Sequence, residues 1–319
     1  MKKLLVGLDG SSLAETVLPY AAEIARYGRA DVTLLRVLPE LAPAAPLASE
    51  NPALLPYMVV MPGASRAERA VETAQDERYE AQHYLDRLVE KLGRQGVAAQ
   101  AILAAGNPAE VLVSEAAAQG AALLFLATHG RSGLSRLLFG SVAEAVIAQS
   151  SVPVFLARAG ASAQSPSISD ILVPLDGLPD AERALPIAAD LARTLDAELT
   201  LVEVVVPLAP EPIVDAVLLH PAAGDVIGEE QAAASEYIAD AAQRLKEAGL
   251  RARVSVQTDD VAVGVARTAA DAKSALIVMA THGTTGVVRA LAGSTASQVL
   301  HQTTLPLVLV GPRGNVTRR

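Results

Sequence analysis

Short runs of consecutive apolar residues alternate along this chain with longer stretches whose apolar positions recur every three to four residues. The first run, Lys3–Leu8, reads as a buried strand, and Asp9-Gly10-Ser11-Ser12 turns it into a helix over Ala14–Tyr27 that carries Val17, Ala21, Ile24 and Ala25 on one face. Asp31–Leu38 is a second buried strand, Arg66–Arg94 a long amphipathic helix that covers a sheet, and Val97–Leu103 a third strand. Gly106-Asn107-Pro108 opens a helix that runs to Gln119, with proline at an early helical position. Leu123–Ala127 is the fourth strand, Gly140-Ser141 opens the next helix, and Val154–Ala157 ends the series. The order then recurs: strand Ile171–Leu175, helix Pro179–Thr194, strand Glu198–Val206, helix Glu229–Ala248, strand Ala252–Thr258, helix Val261–Ala272, strand Leu276–Met279, and a closing helix and strand. Strands that alternate with helices predict parallel, doubly wound sheets. Two proline-bearing segments, Pro39–Pro62 and Pro207–Gly228, leave the second strand of each round and cannot be helical throughout. They are expected to be mobile and to cover part of a site.

The recurrence is a duplication. Ala122–Arg158 aligns without a gap to Ala275–Gly311, an offset of 153 residues. Both copies keep Ala-Thr-His-Gly, a glycine three residues later, Gly-Ser after nine residues, and a proline before the last strand. Chance similarity of apolar strands would keep hydrophobicity, not Thr, His, Gly and Ser at fixed spacing. The boundaries follow: unit 1 over 1–158, a small, polar linker over 159–168, and unit 2 over 169–319. Each unit ends in a short apolar strand at a sheet edge, Val154–Ala157 and Leu307–Val310, and exposed apolar edges pair. The two units are therefore expected to pair within one chain as a pseudo-dimer, with a further homodimer open.

Composition narrows the function. The chain has 26 basic and 35 acidic residues, a net charge of −9, which argues against general nucleic-acid binding. A local nest of N–H donors for a nucleotide remains compatible with that balance. There is no cysteine, hence no disulfide frame or thiol chemistry. No run of about 18 apolar residues lacks charge or proline, so no membrane-spanning helix is expected and the cytoplasm is the default location.

The candidate chemistry gathers where strands end. In doubly wound sheets ligands sit beyond the carboxyl ends of the strands. Asp9 and Asp176 end the first strand of each unit, the Ala-Thr-His-Gly loops follow the fourth, and Gly140-Ser141 and Gly293-Ser294 open the last helix. A carboxylate there can hold ribose hydroxyls, glycines let backbone approach phosphate, and helix N-terminal N–H groups attract it. Each residue also has a plainer use: a strand-end Asp caps the next turn, and Ser141 with Glu144 has the spacing of a capping box. His129 and His282 order their loops rather than catalyse, since no Gly-x-Ser-x-Gly elbow accompanies them. The P-loop pattern, the dinucleotide fingerprint and metal-ligand spacings are all absent. Arg131, Arg136 and Arg289 are placed to offset phosphate charge.

At these residues the chain resembles the universal stress protein family in its tandem form, over about residues 2–158 and 169–312. The family's ATP signature, Gly-x2-Gly-x9-Gly-Ser/Thr, is met by Gly130, Gly140 and Ser141 and again by Gly283, Gly293 and Ser294, with Ala127 and Ala280 at the first glycine. The resemblance implies an α/β fold of two tandem doubly wound five-stranded parallel sheets, order 3-2-1-4-5, Rossmann-like and akin to adenine nucleotide alpha hydrolases. It implies ATP, with or without Mg2+, as cofactor. Adenine would lie near Leu8 and Val37, or Leu175 and Val204; the ribose near Asp9 or Asp176. The triphosphate would lie along Gly130, Gly140, Ser141 and Val142, or Gly283, Gly293, Ser294 and Thr295. Gly7, Leu126, Ala127 and Arg131 complete the implied set in unit 1, and Pro174, Met279 and Ala280 in unit 2. The implied role is stress-linked regulation with no catalytic residue and no protein-held metal; a slow ATPase or phosphoryl-transfer enzyme, or a scaffold with vestigial sites, are the alternatives. Unit 2 departs further from the pattern. Leu178-Pro179 follows Asp176-Gly177, and Asp259-Asp260-Val261 replaces Gly106-Asn107-Pro108, so unit 1 is expected to bind more tightly.

Overall fold

The computed structural model describes residues 1–40, 66–128, 140–158, 167–207, 223–281 and 294–312. Unit 1 contributes β1 (Lys3–Leu8), α1 (Leu18–Gly28), β2 (Asp31–Leu38), α2 (Arg66–Arg94), β3 (Ala99–Ala105), α3 (Pro108–Gln119), β4 (Leu123–Thr128), α4 (Ser141–Gln149) and β5 (Val154–Arg158). Unit 2 contributes β6 (Asp170–Leu175), α5 (Ala184–Leu195), β7 (Glu198–Val205), α6 (Ala223–Glu247), β8 (Ala252–Thr258), α7 (Val261–Asp271), β9 (Leu276–Ala280), α8 (Ser294–Gln302) and β10 (Leu307–Val310).

All ten strands form one sheet, ordered β3-β2-β1-β4-β5-β10-β9-β6-β7-β8. Each half has the expected 3-2-1-4-5 order, and every pairing within a half is parallel. The halves meet through β5 and β10, which pair antiparallel with Val308 opposite Phe155. The apolar edges thus close on each other, as expected, and the two five-stranded sheets become one. Apolar side chains fill both faces. One core includes Phe125, Phe155 and Val308; the other includes Leu124, Leu156 and Leu307, so each core runs through the seam. Because successive strand residues point to opposite faces, a strand covered on both sides reads as an unbroken apolar run.

The seam is not symmetric. The Arg158 guanidinium, on a residue only 6% exposed, donates to the carbonyls of Leu300 and, at 2.8 Å, Thr303 at the end of α8. A cation there satisfies carbonyls that a helix C-terminus leaves unpaired. Gly311, the matching residue of unit 2, instead lies against the end of α4, where a Cβ would sit 3.4 Å from the Ser150 oxygen.

Several boundaries differ from expectation. The first helix of each unit opens as a 3-10 turn, Ala14–Val17 and Ala181–Arg183, before α1 and α5 begin. Pro19 and Pro186 lie in the first turn of the α-helices, where a missing N–H costs least. The third strand starts two residues late because the Val97 N–H donates back to Leu92 O at 3.0 Å, closing the turn after α2. α6 begins at Ala223, inside the segment assigned to the second proline-bearing excursion; Gly224 and Gly228 had disguised its first turns. The rest of that excursion (208–222), most of the first (41–65) and most of the linker (159–166) lie outside the described residues.

Candidate functional site

In unit 1 the strand ends and two helix starts enclose a cleft of about 240 Å3. Its apolar wall is Leu8, Val37 and Leu126, with Leu35 and Leu112 deeper in. Its polar rim is Asp9 and Ser11 on one side and Gly140, Ser141 and Val142 on the other. Gly7 and Ala127 are also lining residues. The cleft therefore gathers nine sequence-predicted positions from β1, β2, β4 and α4. Gly130 and Arg131 lie outside the described residues, as do Gly283 and Gly293.

Sequence chemistry explains how the cleft is built. A Cβ at Gly7 would come within 2.7 Å of Leu126 and 2.8 Å of Leu112, so only glycine lets those leucines close over β1. Asp9 sits just beyond β1, exposed, and its Oδ1 accepts from Ser11 N–H at 2.8 Å. Ser11 Oγ in turn accepts from Ala14 N–H at 3.1 Å. The plainer role of Asp9, ordering the turn, is thus present and occupies one carboxylate oxygen.

The two helices facing the cleft differ at their starts. α3 is capped by Asn107, whose Oδ1 accepts from Ala109 and Glu110 N–H at 3.0 and 3.4 Å. α4 has no side-chain cap: Gly140 stands at the N-cap position with φ 75° and ψ 149°, and Ser141 is the first helical residue. The capping box expected of Ser141 and Glu144 is therefore not formed, because the glycine ahead of Ser141 takes a backbone conformation that side chains rarely adopt and carries the chain in. The first-turn N–H groups of α4 are left without a capping side chain at the rim of the cleft, an arrangement that favours an anion.

Unit 2 places its candidates at the same strand ends. Leu175, Met279 and Ala280 are buried, and Pro174, Val204 and Thr295 partly so. Asp176 Oδ1 accepts from Leu178 N–H at 3.1 Å, the turn made by Asp9 in unit 1. α7 is capped by Asp260, which accepts from Ala262 and Val263 N–H at 3.0 and 3.3 Å. So Asp259-Asp260-Val261 does replace Asn107-Pro108 functionally as a cap. Gly264 packs so closely on Val204 that a Cβ would meet it at 2.9 Å. Ser294 opens α8.

Sequence reading missed a pair of residues below the first-strand carboxylates. Arg36 lies beside Leu8 in the β1–β2 register, and Glu203 lies beside Leu175 in β6–β7. The Arg36 guanidinium packs against Gly10, where a Cβ would be 2.9 Å from it, and over the Tyr84 ring at 5.6 Å. Glu203 takes that place below Gly177, and its Oε2 is buried with no hydrogen-bond partner among the described residues. Burial, and then the Asp176 charge, push the Glu203 carboxyl above the usual range. Glu182 moves the other way, held down by Arg244, which donates to both its oxygens at 2.9 and 3.3 Å. Among the described residues no cluster of His, Asp or Glu could hold a metal ion, and no helix is long and apolar enough to cross a membrane.

With this geometry in hand, comparison with known proteins assigns the family. The sequence model of the universal stress protein family matches residues 1–158 and again 168–311. The chain belongs to the universal stress protein family, in tandem form. Universal stress protein YxiE of Bacillus subtilis is 29% identical over 157 residues, covering 49% of this chain and 98% of its own. A universal stress protein of Mycolicibacterium smegmatis is 26% identical over 313 residues, 97% of each chain, and so has the same two-unit length. A crystal structure of a universal stress protein from Archaeoglobus fulgidus superposes with a TM-score of 0.66, covering 98% of each chain at 19% identity, which speaks to the fold alone.

Proposed function

We propose that this protein binds ATP in the unit 1 cleft, and in a second site at the matching strand ends of unit 2, and that binding serves regulation rather than rapid chemistry. The observation that carries the reading is the uncapped start of α4, which faces an apolar slot across a rim bearing Asp9. Adenine fits the apolar wall of Leu8, Val37 and Leu126. The free carboxylate oxygen of Asp9 accepts from a ribose hydroxyl. Gly140, Ser141 and Val142 offer N–H groups to phosphate, and Gly130 and Arg131 belong to the same set. In unit 2 the corresponding set is Pro174, Leu175, Asp176, Val204, Met279, Ala280, Gly283, Gly293, Ser294 and Thr295. A regulator works through ligand affinities that differ between two states of the protein.

Calorimetric titration with ATP and adenosine tests this. Asp9→Ala is expected to weaken both ligands at unit 1, since the ribose is common to them. Gly140→Val forces a branched side chain into a positive-φ position and is expected to abolish ATP binding at unit 1 while adenosine loses little. Ser141→Ala is expected to cost ATP less than tenfold, one hydroxyl contact. If folded Gly140→Val binds ATP as the parent does, the phosphate-cradle reading is wrong.

A further inference from the structure

Arg36 lies on the side of the sheet away from the nucleotide cleft. Its neighbours in β2, Leu35 and Val37, line that cleft, and successive strand residues point to opposite faces. Arg36 instead lines an opening on the α2 side, together with His83, Tyr84 and Arg87. One stretch of chain is common to both sides: Asp9 lines the cleft and the opening, and Gly10 follows it. The Arg36 guanidinium reaches under this stretch. A Cβ at Gly10 would lie 2.9–3.2 Å from its Nη1, Cζ and Nη2 atoms, so the planar head is in contact with the turn. It also rests over the Tyr84 ring at 5.6 Å, a favourable place for a cation, and Tyr84 is itself only 8% exposed within the core. The turn that Arg36 supports is the one that orders Asp9. Gly10 has φ 91°, and Ser11 N–H donates to Asp9 Oδ1 at 2.8 Å. Unit 2 has the same turn without this support. Glu203 stands at the matching register position, beside Leu175, and a Cβ at Gly177 would be 3.8 Å from its Oε1, an ordinary contact.

We infer that Arg36 is a positioning residue for ribose recognition in unit 1: braced on Tyr84, it holds the Asp9–Ser11 turn from the far side of the sheet, so that the Asp9 oxygen left free by Ser11 is presented to the cleft. The inference rests on the proposal that Asp9 accepts from a ribose hydroxyl. Its physical basis is preorganisation. Asp9 is exposed and stands beyond the end of β1, where the sheet no longer fixes it. A ligand-binding side chain in such a place is effective only when neighbours that never touch the ligand lock its position. Ser11 and the helix start hold the turn from ahead, since Ser11 Oγ accepts from Ala14 N–H at 3.1 Å. Arg36 holds it from beneath. The contact belongs to the α2 side of the sheet and does not involve the start of α4, so its effect is confined to the ribose and leaves base and phosphate recognition alone.

The experiment is calorimetric titration of the full chain with adenosine, dideoxyadenosine lacking both ribose hydroxyls, and adenine. An Asp176→Ala background leaves ribose recognition to unit 1. Arg36→Met keeps the length of the side chain and removes its planar head. It is expected to weaken adenosine by about threefold to tenfold, the effect of one misplaced hydrogen bond, and to leave dideoxyadenosine and adenine unchanged. Tyr84→Leu removes the brace without touching Asp9 or Gly10, and is expected to act in the same direction and less strongly. Added to Asp9→Ala, Arg36→Met is expected to weaken adenosine no further, because both changes act through one contact. Unchanged adenosine binding in folded Arg36→Met, a parallel loss of adenine binding, or equal losses with and without Asp9 would each overturn the inference and leave the nucleotide reading standing. A parent chain that binds neither ATP nor adenosine would overturn the nucleotide reading itself, and the inference with it.

Discussion

Arg36 and Glu203 sit at one register position in two copies of one unit, the first beside Leu8 and the second beside Leu175. Around them the apolar scaffold is nearly interchangeable: β2 and β7 share the same burial pattern from their second to their eighth residue. What differs is the charge that the scaffold holds at the strand ends. The comparison teaches that the sheet tolerates either sign at this corner, because Arg36 and Glu203 lie near the strand ends and stay partly exposed rather than fully enclosed between packed layers. A core position could not change in this way, since an unpaired charge there has a large desolvation cost. The corner is thus free to diverge while the fold stays fixed, which is where two copies of one domain can acquire separate tasks.

Divergence of this kind presumes that the copies remain one body, and the largest expected effect tests that. Phe155 is fully buried, stacks on Phe125 at 4.7 Å, lies 5.3 Å from Tyr20, and stands opposite Val308 of unit 2. Phe155→Ala is expected to cost about 3–5 kcal/mol. Because the cores of both faces run through the seam, the loss should lower the unfolding of both units together in one cooperative transition followed by calorimetry. A parent that melts in two steps, with the variant moving only the first, would mean that the units are independent and merely adjacent.

The fold was legible because its signals are local and redundant: apolar runs for buried strands, proline and asparagine at helix starts, and a repeat that fixed the alignment of the halves. The joining of β5 to β10 was legible for a similar reason, since two exposed apolar edge strands in one chain invite pairing with each other. The candidate site was legible only in part. Asp9, Gly140 and Ser141 announce themselves by type and spacing, whereas Val37 enters only with the family resemblance. The capping role of Ser141 did not hold, because a Ser-x-x-Glu pattern predicts a cap without regard to the glycine ahead of it, and here that glycine takes the N-cap position. The Arg36–Glu203 inversion was harder still. Within an apolar strand one charged residue reads as an interruption, and its meaning appears only when the register sets it beside the first-strand carboxylate.

A second, smaller effect should separate the two sides of the seam. Arg158 serves the carbonyl ends of α8, whereas Gly311 leaves the end of α4 to backbone packing. Arg158→Ala removes donors from buried carbonyls and is expected to cost about 1–3 kcal/mol. Gly311→Ala meets only ordinary contacts at 3.4–3.5 Å and is expected to change stability by less than about 0.5 kcal/mol. Denaturant midpoints of the two variants check the contrast; equal losses would show that the seam is symmetric in energy despite its unequal residues.

The smallest effect is the most direct reading of the charge inversion. Burial and the Asp176 charge raise the Glu203 carboxyl above its ordinary value, so the folded protein holds that proton more tightly than the unfolded chain does. The sign follows from linkage: the folded state is favoured at pH below the unfolded carboxylate value, and that advantage is lost as pH rises through the raised folded value. Wherever Glu203 is ionised it is therefore a net burden on unit 2. Glu203→Gln keeps the shape and removes the charge, and it is expected to stabilise the protein at pH 7 by a few tenths to about 1 kcal/mol, a range kept low because the side chain is partly exposed. The gain should shrink as pH falls through the raised folded value, where the parent takes up its proton. Arg36→Gln in unit 1 removes a cation that rests on Tyr84 beside Asp9, and it should show no gain at pH 7. Urea denaturation of both variants across pH 4.5–8 reads this directly. A Glu203→Gln gain that is the same at every pH would mean that side-chain shape, not charge, separates the two corners.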